Sequence, residues 1–269
     1  MPRLCKPTHL LATAESPPLK SRRRTDDIQN TMTLCRSITG AAATLLLASA
    51  GHAAGLSADL TALEQRWLQG VWPVVVFARS SALPLDIVVQ PQPTPGAAPL
   101  ALAFVDGRCK LVLSMRGNPQ AQATLDRIEP HLLSATLELM AAHELGHCRR
   151  YLAGAWYGLP AGFAALSLSP APAGLGAAWR ALFADMQAAR REEGYADLVG
   201  LAWARQRHPQ HYTALHAWLL TERSADLLPG SHHDTGVWLR LAGNGDALAR
   251  TPIFDAPAGL WAAGLRADD

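Results

Sequence analysis

Residues 140 to 151, MAAHELGHCRRY, set two histidines four positions apart with a glutamate directly after the first. Leu132, Leu133, Leu137, Met140 and Leu145 recur around them at helical spacing, so this stretch is expected to be a helix with one apolar face. On a helix, positions i and i+4 face the same way, so His143 and His147 can grip one ion between them. Glu144 borders that face and can take a proton from a metal-activated water without binding the metal. This is the His-Glu-x-x-His arrangement of metalloproteases. The plain alternative is a satisfied histidine pair on an ordinary helix. The ion reading constrains the fold more tightly, because other elements must then complete the site.

The rest of the chain offers a small sheet and several helices. Residues 57 to 72 repeat Leu60, Leu63, Trp67, Leu68 and Val71 at helical spacing. LPLDIVVQ (83 to 90) reads as a strand and precedes the turn-rich PQPTPGAAP. LALAFV and RCKLVLSM (108 to 115) flank Asp106-Gly107, a hairpin signal. A helical pattern covers about 120 to 153, interrupted at Pro130. Residues 159 to 178 form a Pro/Gly-rich connection that reads as a lid, holding the protein latent, or as a mobile insertion. Helices are expected over about 179 to 207, 209 to 224 and 237 to 241, with an irregular tail. Trp203, Trp218 and Trp238 sit at apolar helical positions and read as core. With 269 residues, 49% of them hydrophobic, one sizeable core is within reach. The expected class is α+β, a small N-terminal sheet with a helix followed by a mostly helical metal-binding core, in one domain over 54 to 269.

A catalytic zinc site needs a third protein ligand and an open fourth position. The completion with a Gly three residues and a His six residues after the second histidine fails, because Arg150 and Ala153 stand there. A glutamate from a later helix is the other route. REEGYADLVGLAWA (191 to 204) offers Glu192 and Glu193, with Asp197 one turn after Glu193 on the same face. Glu193 would bind the ion, and Asp197 would accept a hydrogen bond from a ligand imidazole. Otherwise Glu193 is a solvated carboxylate and Asp197 a plain ion-pair partner of Arg190 or Arg191. Cys148, turned by about 100° from His147, is no ligand.

HELGH followed by EGYAD resembles the gluzincins of the HtpX heat-shock and CAAX prenyl endopeptidase family, over roughly residues 100 to 240. The resemblance implies a zincin-like fold, Zn2+ and Glu193 as third ligand. Members commonly carry several transmembrane helices, whereas none is read here after residue 50, so the comparison is with the soluble periplasmic branch. That family often has a His-Pro-Pro-Thr/Ser stretch after its second motif. GSHHDTG (230 to 236) keeps His232 and Thr235 at the matching interval, but His233 and Asp234 replace both prolines. His232 or His233 is thus a candidate for stabilising an oxyanion, with a loop cap or surface pair as the alternative. Tyr195 and Tyr212 are conceivable phenolic donors that read more simply as core. His131, His208, His211 and His216 have no ligand spacing and read as surface or packing residues. Residues 108 to 115 fit either an edge strand that pairs with extended substrate or an interior strand.

The formal charge of +2 is uneven: residues 1 to 53 hold seven Lys/Arg and three acids, leaving 17 basic and 19 acidic residues. No clustered basic face points to nucleic acid. Residues 1 to 31 read as a disordered or mis-called extension. From Met32, residues 32 to 53 have the charge, apolar run and small residues of a signal peptide, implying a periplasmic or secreted protein. Cys109 and Cys148 then remain, suited to a disulfide in an oxidising compartment or else two buried thiols. The expected activity is zinc-dependent peptide hydrolysis on a peptide or protein substrate. The alternative is a non-catalytic, zinc-stabilised binding or scaffold protein.

Overall fold

The computed structural model describes residues 60–91, 97–154, 176–225, 230–249 and 251–268. The extension (1–31), the signal peptide (32–53) and residues 159–175 of the suspected lid lie outside the described residues. The remainder is α+β.

Helix α1 (Ala62–Ser80) starts at a capping box, in which Thr61 and Glu64 each bond the other's backbone N–H. Sequence periodicity ends this helix at Trp72, yet it continues through Pro73. The proline removes a helical hydrogen bond, costing about 3 kcal/mol. Continuation buries Val74, Val75 and Ala78, and each valine returns roughly 1.5–3 kcal/mol. Burial wins.

Strands β1 (Leu85–Gln90), β2 (Leu100–Val105) and β3 (Arg108–Ser114) form one sheet in the order β1-β3-β2. β1 runs parallel to β3, with Leu85 opposite Cys109, and β2 runs antiparallel, with Val105 opposite Arg108. Asp106 and Gly107 turn the hairpin with φ of 52° and 72°, the two positive values a type I′ turn needs. Residues 108 to 114 are therefore the interior strand, and the edge-strand reading of them gives way. β1 occupies their other side by a non-local pairing that no local pattern announces. Among the described residues β1 and β2 are the two edge strands. The Ser114 N–H donates to the Pro99 carbonyl, so by antiparallel alternation Leu100, Leu102 and Phe104 turn their backbone polar groups away from β3.

Helix α2 (Pro119–Asp126) is capped by the Asn118 side chain. A 3-10 turn over Pro130–Leu132 leads into α3 (Leu133–Leu152), which carries HELGH. Then come α4 (Ala177–Arg207), α5 (Tyr212–Ala225), α6 (Gly236–Leu241) and α7 (Ala258–Asp268). α7 corrects the expectation of an irregular tail. Trp261 and Leu265, four apart, are fully buried, but Gly259 and Gly264 hide the pattern. Gly264 is there for space: a Cβ would lie 2.2 Å from Nε1 of the buried Trp238.

α3 and α4 pack antiparallel and very close. A Cβ on Gly146 would lie 2.9 Å from the Ala196 Cα, and one on Gly200 would lie 3.0 Å from the Leu139 carbonyl oxygen. Away from the histidines the same pair is latched by the buried Glu138, which accepts from Trp203 Nε1 and bonds His208 Nε2, each at 2.9 Å. Cys109 and Cys148 are joined by a disulfide, tying β3 to α3 one residue after His147. Among the described residues no helix is long and apolar enough to cross a membrane.

Candidate metal centre

α3 presents His143 and His147 to α4, which answers with Glu193 and, one turn on, Asp197. The two imidazole Nε2 atoms lie 3.1 Å apart. Glu193 Oε2 is 3.4 Å from His143 Nε2, and Oε1 is 3.4 Å from His147 Nε2. These three residues form a group whose donor atoms all lie within 4.8 Å of one another, able to hold a metal ion. His143 Nδ1 bonds Asp197 Oδ1 at 2.9 Å. A carboxylate there holds the proton on Nδ1 and leaves the Nε2 lone pair for a cation.

Asp197 is itself held. Arg223 on α5 donates to it through Nε (2.9 Å) and Nη2 (2.6 Å), and Thr235 Oγ1 donates at 2.6 Å. The expected partners Arg190 and Arg191 lie seven and six residues before it, nearly two turns away along α4, and Arg190 instead bonds the Asp234 carbonyl. Arg223 Nη2 also reaches Glu193 Oε2 at 3.2 Å. Sequence reasoning missed Arg223, since an arginine at the end of an amphipathic helix looks like solvated surface, and it marked Thr235 only as part of GSHHDTG, without its bond to Asp197.

Glu192 points elsewhere. It forms a buried pair with Arg150, whose Nε donates to Oε2 at 2.7 Å and whose Nη2 donates to Oε1. Of the two glutamates, only Glu193 faces the histidines.

The electrostatics favour a cation between the donors. Burial opposes charge on His143, yet the Asp197 and Glu193 carboxylates overcome it and raise the imidazole to about 10. Burial works against Glu193 as well, but the two imidazoles hold its carboxyl well below the usual range. Asp197 is likewise held low against burial by Arg223 and His143. Glu144 behaves oppositely: burial pushes its carboxyl up, only partly offset by His143 and His147.

His143, Glu144, His147, Glu193, Asp197 and Arg223 line a cavity of about 640 Å³, which also takes in residues 97 to 102 along β2. His233 lines it too, whereas His232 does not and instead packs against the His233 ring at 4.1 Å. Burial and the nearby Arg223 charge push His233 down to about 4, so its imidazole is neutral. The two tyrosines are packing residues: Tyr195 donates to the Phe254 carbonyl and Tyr212 to that of Ala242. His216 is likewise buried on the Leu239 carbonyl.

In comparisons with known proteins, no family model, no curated protein and no solved structure matches this chain. The functional reading therefore rests on the site itself.

Proposed function

We propose that this protein is a zinc-dependent endopeptidase, exported, and of the gluzincin type that the HtpX and CAAX prenyl endopeptidase resemblance implies. One observation carries the reading. Two imidazole nitrogens and a carboxylate converge on the wall of an open cavity, with Glu144 beside them and a sheet edge running past.

A His-His-Glu set with a carboxylate behind one imidazole suits zinc and leaves a position open. The ion, when bound, supplies Lewis acidity to a water and to a substrate carbonyl. The remaining work belongs to the chain. Glu144 removes the proton from the attacking water as the oxygen–carbon bond forms. It then delivers that proton to the leaving amine as the carbon–nitrogen bond breaks. Its raised carboxyl makes it a stronger base for the first half of that transfer. The outward backbone groups of Leu100 and Leu102 on β2 can pair with an extended peptide whatever its side chains. His233, on the cavity wall, is better placed than His232 to donate to an oxyanion. The Cys109–Cys148 bond fits an oxidising compartment.

The test is Glu144→Gln assayed against a broad peptide library. Activity should fall by about 10²–10⁴-fold while bound zinc and folding stay as in the wild type. A wild type that binds zinc and cleaves nothing in the library would replace this reading with the scaffold protein.

A further inference from the structure

Arg223 does more than neutralise Asp197. The Glu193 carboxylate is set evenly between the two imidazoles, 3.4 Å from each Nε2. Nothing in the ligand set itself chooses whether a cation receives one of its oxygens or both. That choice matters, because a carboxylate giving both oxygens fills the position a catalytic site keeps open. Arg223 breaks the symmetry. Its Nη2 donates to Glu193 Oε2 at 3.2 Å, while Oε1 faces His147 Nε2 at 3.4 Å. The guanidinium cannot drift to the other oxygen, for its Nε and Nη2 form a two-bond fork on Asp197. Thr235 also donates to Oδ2 of that carboxylate, the oxygen that takes Arg223 Nε. The arginine is well buried, its side chain 16% exposed.

We propose that Arg223 is a positioning residue that occupies Oε2 of Glu193, restricts it to binding the ion through Oε1, and so keeps a coordination position open. This rests on the metal-site reading above, and it adds a residue and a task that reading does not contain. A lysine could supply charge but not the fork, since its head is a single point donor. The device is thus specific to a guanidinium anchored on one carboxylate and reaching a second.

Cobalt(II) in place of zinc reports coordination directly, because its visible bands weaken at each step as the coordination number rises from four to five to six. Cobalt-loaded wild type should show the intense bands. Arg223→Gln should hold the ion and lose much of that intensity as Glu193 turns bidentate, with kcat falling more than KM changes. Thr235→Val also removes a support from Asp197 but touches no oxygen of Glu193, so its spectrum should match the wild type. Arg223→Lys serves if the glutamine variant does not fold, and it should also lose intensity. Undiminished bands in the folded Arg223 variant overturn the proposal, as does an equal loss in Thr235→Val. A wild type that takes up no cobalt or zinc would instead remove the metal site itself.

Discussion

The α3–α4 interface holds two clusters of buried charge within one helical turn of each other, and they differ in completeness. At the first, Arg150 and Glu192 satisfy each other through two hydrogen bonds, and the guanidinium lies 4.6 Å from the Trp261 ring and 5.3 Å from that of Tyr195. At the second, the two Nε2 atoms of His143 and His147 and the Glu193 carboxylate face one another across a gap open to a cavity. Adjacent residues Glu192 and Glu193 thus have different tasks only because a helix turns by about 100° per residue. A closed cluster holds helices together. An open one is short of positive charge, which an ion can provide.

Swapping which cluster loses its carboxylate is the sharpest way to break this contrast. Glu193→Ala should abolish stoichiometric zinc binding, measured by metal analysis after dialysis, and leave the fold intact. Glu192→Ala should keep the zinc and lose stability instead. The reverse pattern would move the ligand to Glu192. Next in size is Arg150→Ala, which strands a buried carboxylate and should cost about 3–5 kcal/mol in urea unfolding. Zinc per folded chain should not change, and Arg150→Leu with Glu192→Leu should recover most of the loss. Zinc content falling in step with stability would mean that the two clusters are one unit.

Asp197→Ala is a smaller perturbation of the open cluster, since the ligands remain. Zinc affinity by chelator competition should fall roughly 10–100-fold, and a fall of less than a few-fold would detach Asp197 from the site. The smallest effect falls on the wall of the closed cluster. Burial pushes Tyr195 up to about 12, above the roughly 10 of an unfolded chain. Its neutral phenol therefore contributes stability that is complete below about pH 10 and lost as pH rises towards 12. Tyr195→Phe should flatten that part of the alkaline fall in Tm; an unchanged slope would mean other groups cause it.

The helical frame and the grouping of the candidate ligands were legible because their signals are local. The periodicity around Leu137 and Leu145 fixes which face His143 and His147 share, and the Glu193–Asp197 spacing puts two carboxylates on one side of α4. Cys109 and Cys148 were readable as a pair, though only the packing of β3 on α3 brings them together. What escaped depends on contacts between distant segments. Arg223 acquires its role from α5 lying against α4, 30 residues after Glu193. The interior position of β3 depends on β1 pairing with it across an intervening strand. α7 was hidden because its Gly264 answers to the bulk of Trp238 rather than to helix propensity.

The fourth residue of HELGH carries a consequence of its own. An alanine at Gly146 would set its Cβ 2.9 Å from the Ala196 backbone, where ordinary contact begins at 3.4 Å, so the helices would have to part by about half an ångström. Metal–ligand distances tolerate only about 0.2 Å. The spacing between a pair of histidines on one helix and a carboxylate on another is thus gauged by a residue that binds nothing. The tolerance of this centre is written in a missing methyl group as much as in its ligands.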